Sequence, residues 1–156
     1  DKILDVGGGT GMLLERISRK EENVDGYLLD SSKKMINESS NRDSIVLGKA
    51  CKNPFSSNTF DYVICTDALH HFEHKEESIK EMMRVLKPGG QIIILEMDSR
   101  SIITKIVRFG EILFGEPSYF FDPESLGNLF TKHDFEVKIK DVNSYEYVLY
   151  ANKTVE

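Results

Sequence analysis

Apolar residues along this chain come as short runs, separated by longer stretches in which they recur at helical spacing. Ile3-Leu4-Asp5-Val6 reads as a buried strand that stops at Gly7-Gly8-Gly9-Thr10-Gly11. Met12, Leu13, Leu14 and Ile17 then share one helical face, predicting a helix to Ser18. Residues 24–29 form the next strand, ending at Asp30. Ser31 or Ser32 is placed to cap a helix that contains Met35 and Ile36. Strands follow at 44–47 and 60–65. A helix over 76–86 turns Ile79, Met82, Met83 and Leu86 inward and stops at Lys87-Pro88-Gly89-Gly90. Residues 91–97 form a fifth strand, apolar on both faces.

Strands alternating with helices predict crossover connections and a mostly parallel sheet with helices on both sides. The end of the chain has a different period. Asp122-Pro123-Glu124 opens a helix through Phe130. Residues 135–142 and 145–151 alternate apolar and polar, and the pair Asn143-Ser144 joins them as a hairpin.

Composition narrows the function classes. The chain has 156 residues with 20 Lys+Arg against 26 Asp+Glu, a net charge of -6, so a duplex nucleic-acid binder is not expected. No apolar run approaches the ~20 residues of a spanning helix. Two cysteines exclude a disulfide-dense scaffold and a three-cysteine iron–sulfur site. No leader peptide is visible, and a cytoplasmic protein is the expectation. The chain opens at Asp1-Lys2 directly into a core strand, so an upstream segment of the parent protein is expected to be missing.

The glycine loop carries the first chemistry. Between a strand and a helix, its glycines let the backbone approach a ligand, and the free N–H groups of the helix point to the same place. Its spacing is Gly7-x-Gly9-x-Gly11, with the third glycine one position earlier than in a dinucleotide fingerprint. Asp30, ending the second strand, stands where an acidic residue binds ribose hydroxyls. The loop and Asp30 alone do not separate an adenosyl ligand from NAD.

With its neighbours, the loop resembles motif I of the class I S-adenosylmethionine-dependent methyltransferases. Leu28-Leu29-Asp30-Ser31-Ser32-Lys33-Lys34-Met35 resembles their second motif, and Asn53-Pro54-Phe55-Ser56-Ser57-Asn58-Thr59-Phe60-Asp61 their loop into the fourth strand. Leu69-His70-His71-Phe72 and Arg84-Val85-Leu86-Lys87-Pro88-Gly89-Gly90 resemble the two segments that follow. The small-molecule branch of ubiquinone and menaquinone biosynthesis is the most similar. The resemblance implies an α/β, Rossmann-like, doubly wound sheet of seven strands in the order 3-2-1-4-5-7-6, with the C-terminal antiparallel hairpin completing it. It implies one core domain over 1–156, without the upstream lid that caps the cofactor in this family. It also implies S-adenosyl-L-methionine as cofactor. Gly7, Gly9 and Gly11 would make room for its methionine and ribose portions, and Asp5 would sit near its amino-acid end. Asp30 would accept from its ribose hydroxyls, and Met35 would flank its adenine, with backbone groups near Ala50 and Cys51 recognising that ring. Gly8 and Ser31 complete the expected binding residues. Cys65 would offer backbone groups to the methionine amine. One position departs: where the family commonly has Gly-Asp-Ala, this chain has Gly48-Lys49-Ala50, and a lysine is a donor only.

The acceptor side is less defined. Cys65-Thr66-Asp67-Ala68 stands where planar-nitrogen methylators carry an Asn/Asp-Pro-Pro-aromatic motif, so a small-molecule acceptor with a carbon, oxygen, sulfur or alkyl-amine target is expected. His70 and His71 are candidate bases for an acidic acceptor. His70, His71 and His74 with Glu73, Glu76 and Glu77 read as a solvated helix start, and no metal is expected. Residues 98–121 are an insertion expected near the acceptor. Ile102, Ile103, Ile106, Val107, Phe109, Ile112, Leu113 and Phe114 recur there at helical spacing, with Arg100, Lys105, Arg108, Glu111 and Glu116 among them. That stretch either holds an apolar or aromatic acceptor or covers the core. A cofactor-binding non-catalytic subunit and an NAD-dependent oxidoreductase are the alternatives. The sequence gives no oligomeric state.

Overall fold

The computed structural model describes residues 1–39, 44–115 and 118–155. The strands are β1 (Lys2–Val6), β2 (Asp25–Asp30), β3 (Ile45–Leu47), β4 (Phe60–Thr66), β5 (Leu86–Met97), β6 (Phe135–Asp141) and β7 (Glu146–Lys153). The helices are α1 (Met12–Ser18), α2 (Lys33–Asn37), α3 (Lys75–Val85), α4 (Ile102–Leu113) and α5 (Pro123–Thr131). The strands form one sheet in the order β3-β2-β1-β4-β5-β7-β6. β1 to β5 pair in parallel, while β7 runs antiparallel to both β5 and β6. The strand order reverses between β1 and β4, which opens a crevice at their carboxyl ends.

Strand alternation divides the core. Leu4, Val6, Val63, Ile92 and Ile94 face α3 and α5, where Ile79, Met82, Leu126 and Phe130 bury against them. Ile3, Leu28 and Ile64 face the other way, onto Leu14 of α1. Each such side chain, fully buried, is worth about 1.5–3 kcal/mol. On that second side, Ile93, Leu95 and Met97 of β5 stay half-buried, so the sheet is not equally covered on its two faces.

Three local expectations change. Lys87-Pro88-Gly89-Gly90 ends α3 but lies inside β5, whose register against β4 shifts between Phe60 and Tyr62. The irregularity admits a proline and two glycines into a strand. The hairpin connection runs over residues 142–145, not two residues, because Asn143 Oδ1 accepts from the N–H of both Tyr145 and Glu146, each at 2.9 Å. Ser32, not Ser31, caps α2, accepting from the Met35 N–H.

The insertion is the larger surprise. α4 is capped by Ser101 and forms where helical spacing predicts it, but it is turned inside out. Thr104 is buried, whereas Ile102, Ile106, Phe109, Leu113 and Phe114 are all exposed, Phe114 to 87%. Their side chains do not cover the core, as one of the two expectations had it. Glu116 lies outside the described residues.

Candidate functional site

A cavity of about 600 Å³ occupies the crevice. That volume lies within the range of small-molecule and cofactor sites. Its floor is the glycine loop. Gly7 N–H donates to Leu29 O at 2.7 Å, tying the loop to the end of β2. Gly7 has φ +74°, and a Cβ there would stand 2.7 Å from the Ala68 Cβ across the cavity floor. Only glycine fits both the conformation and the gap.

Asp30 organises the rim. Its Oδ2 accepts from Gly9 N–H at 2.8 Å and its Oδ1 from Ser32 N–H at 2.7 Å. Each carboxylate oxygen keeps a further lone pair. The same carboxylate therefore pins the loop and remains able to accept from a ligand.

Asp5 lies beneath the loop. Its side chain is fully buried, and neither carboxylate oxygen has a hydrogen-bond partner among the described residues. A Cβ on Gly8 would fall 2.3 Å from Asp5 Oδ2, so Gly8 is needed for this close approach. Burial, and then the negative charge of Asp30, raise the Asp5 pKa from 3.8 to about 7.

Gly7, Gly9, Asp30, Ser31, Met35, Ala50 and Cys51 all line this cavity, as does His71. Four of the expected cofactor-binding residues do not. Asp5 and Cys65 are in the core, and burial pushes the Cys65 thiol pKa up. Gly8 sits under the loop against Asp5, and Gly11 borders a separate hollow with Leu14 and Ser39. Lys49 Nζ reaches Glu73 Oε2 at 3.2 Å, so the lysine that replaces the family's aspartate closes an ion pair at the rim.

The far wall contains residues that sequence reasoning passed over. Asp67 and Phe72 line the cavity. Asp67 has φ 49°, rare for a residue with a side chain, at the turn out of β4. His70, expected beside His71, is buried behind it. His70 Nδ1 lies 2.7 Å from Glu96 Oε1, and His70 N–H donates to Glu96 Oε2 at 3.1 Å. Glu96 is fully buried and also accepts from Met97 N–H. The His70 ring packs against His71, centroids 4.1 Å apart, and stacks on Phe120 at 4.3 Å. From α4, Glu111 brings Oε1 to 4.0 Å from His71 Nε2, and Ser118 donates to its Oε2. Local pattern could not supply Glu96 or Glu111, because their partners lie 26 and 40 positions away.

Residues 4–94 match the family described as the methyltransferase domain, more than half of the chain. The chain belongs to this methyltransferase family. It is 34% identical over 117 residues to the ubiquinone/menaquinone biosynthesis C-methyltransferase UbiE of Pseudomonas paraeruginosa, covering 67% of this chain and 46% of that protein. UbiE of Neisseria meningitidis is 31% identical over 159 residues, covering 95% and 58%. The chain thus spans about half the length of the curated relatives it matches. Among solved structures, YcgJ of Bacillus subtilis superposes with a TM-score of 0.84 at 15% identity, over 99% of this chain and 92% of that one. The [4+2]-cyclase SpnF gives 0.84 at 20% identity, over 99% and 75%. Both likenesses show the fold; a cyclase among them illustrates that the fold does not choose the reaction.

S-adenosylmethionine is the methyl donor of such methyltransferases, and the cavity fits it. Asp30 has acceptor capacity for ribose hydroxyls, and the loop leaves room for a backbone-level approach. The unpartnered Asp5 carboxylate beneath it suits a ligand whose amino-acid end is cationic. No helix among the described residues is long and apolar enough to cross a membrane.

Proposed function

We propose that the protein transfers a methyl group from S-adenosylmethionine to a small molecule. The observation that carries this reading is Asp30, held by Gly9 and Ser32 over the cavity at the switch point. Asp30 accepts from the ribose, Met35 flanks the adenine, and backbone groups at Ala50 and Cys51 replace the acceptor that Lys49 cannot supply. Cys65 takes part through its backbone only, since its thiol faces the core. Gly8 and Gly11 act on the loop's shape. Bound, the cofactor supplies a methyl group already activated by its sulfonium. The chain's task is then to place the acceptor in line and exclude water, and orientation of this kind is worth up to about 7–11 kcal/mol.

His71 is the histidine placed to touch the acceptor, because His70 is held behind it by Glu96. The insertion 98–121 borders the acceptor through Glu111, Tyr119 and Phe120 and not through the outward side chains of α4. An apolar or aromatic acceptor suits the Phe72 and Phe120 rings. A nucleic acid does not suit the acidic chain, and free Cys51 and Cys65 accord with a reducing, cytoplasmic setting.

Calorimetric titration with S-adenosylhomocysteine tests the cofactor reading. Wild type binds it, and Asp30→Ala binds at least tenfold more weakly. Binding of NAD with no response to S-adenosylhomocysteine overturns the proposal. Once an acceptor is in hand, Tyr119→Ala raises its KM and leaves cofactor affinity unchanged. A loss of cofactor affinity removes Tyr119 from the acceptor side.

A further inference from the structure

We propose that His70, His71 and Glu111 form a site for a divalent transition-metal ion at the acceptor end of the cavity. One ligand atom from each of the three lies within 4.8 Å of the others. Two imidazoles and one carboxylate are the donor set of open zinc-type and non-haem iron sites, and they disfavour Mg²⁺ and Ca²⁺, which take oxygen ligands.

The surroundings are what distinguish the trio from a chance cluster. Metal-binding histidines characteristically give their second ring nitrogen to a carboxylate, which fixes the tautomer and orients the ring. Glu96 does this for His70. Its Oε1 lies 2.7 Å from His70 Nδ1, so a proton shared there leaves the lone pair on Nε2. Glu96 is itself fixed by the N–H groups of His70 and Met97 and is fully buried, so it cannot turn away to solvent. The carboxylate ligand is oriented in the same manner. Ser118, buried, donates to Glu111 Oε2, while Oε1 faces His71 Nε2 at 4.0 Å. Both outer ligands are therefore braced by hydrogen bonds from other segments.

The distances ask for a small closure. Around an ion with bonds of about 2.1 Å, tetrahedral ligand atoms stand about 3.4 Å apart, so the trio contracts by about 1 Å on binding. The closure falls on the His71 and Glu111 side chains, both partly exposed, since His70 is held by Glu96. Lys75 Nζ donates to Phe72 O at 2.7 Å and lies over the Tyr119 ring. Three protein ligands leave a fourth position toward the cavity that His71 lines. A hydroxyl acceptor bound there would have its pKa lowered by the ion and would release its proton to water at the open side of the cavity, leaving an anionic oxygen for the methyl group, while His71 holds the ion and not the proton.

The site is independent of the cofactor and is tested without turnover. The protein is stripped with a chelator and titrated with Zn²⁺ by calorimetry and with Co²⁺ by visible absorption. The expected result is one saturable equivalent, with Co²⁺ bands of a four- or five-coordinate nitrogen–oxygen site. Glu111→Gln and His71→Ala each weaken binding by tenfold or more, and Glu96→Gln by about 10–100-fold. Should Glu96→Gln fail to fold, Glu111→Gln, whose side chain is partly exposed, decides. Absence of stoichiometric uptake by wild type, or uptake undiminished in Glu111→Gln and His71→Ala, overturns the proposal. S-adenosylhomocysteine titration of the same stripped protein reports separately on the cofactor reading.

Discussion

Asp5 pairs a structural cost with a ligand opportunity. Its folded pKa of about 7 stands above its ordinary 3.8, so between those values the folded chain holds a proton that the unfolded chain has released. Its contribution to stability therefore declines as pH rises from 3.8 to about 7 and levels above that. The slope within the window approaches about 1.4 kcal/mol per pH unit. Asp61, Asp98, Asp122 and Glu81 have the opposite sign. A hydrogen bond holds each below its ordinary pKa, so the stability they add is present above that value and is lost in acid. Urea midpoints measured across pH should fall toward neutrality in the wild type, and Asp5→Asn should remove that fall. A cationic ligand end near Asp5 favours its ionised form. Cofactor binding below pH 7 should then release protons, read as a buffer-dependent calorimetric heat. Gly8→Ala puts a methyl into the space of Asp5 and Leu28 and should lower both stability and cofactor affinity.

Among elements, two of the motif segments bind each other. Arg84, at the end of α3, donates to Asn53 O at 3.0 Å and Phe55 O at 2.9 Å while paired with Glu81. It thereby fixes the loop that leads into β4, whose far end carries Asp67. Lysine keeps the charge but cannot fork to both carbonyls. Arg84→Lys should cost about 1–3 kcal/mol in denaturant unfolding, with cofactor binding retained by the folded fraction. Such segments were legible in sequence because each is local. The glycine loop, Asp30 and the helix caps are all read from neighbours within a few positions. The Asn143 turn was misjudged by two residues because one side-chain oxygen took two backbone donors. The inward side of α4 was unreadable, since spacing gives a stripe without saying which side the sheet lies on.

At the scale of the molecule, the order of seven strands brings Gly7, Asp30 and His71 to one crevice although 64 positions separate the first from the last. Periodicity supplied the strands, the hairpin signalled the antiparallel member, and the motif order supplied the arrangement. What stayed hidden was the second layer, Glu96 and Glu111, which exists only once the sheet has placed β5 and α4 behind the histidines. The sheet depends on a shared aromatic joint. Phe60 packs edge-on against Tyr27 and Phe55 at 5.5 and 5.0 Å, joining β2, β4 and the intervening loop. Phe60→Ala should cost about 3–5 kcal/mol, read as a lower urea midpoint.

The outward apolar stripe of α4 gives copies of this chain an attractive surface that opposes their like charge. A net charge of -6 keeps them apart at low ionic strength. Salt shortens the reach of that repulsion to about 10 Å at 0.1 M and leaves the attraction between stripes untouched. The osmotic second virial coefficient from light scattering should turn from positive toward negative as salt is added. Replacing Ile106 and Leu113 with glutamate should hold it positive.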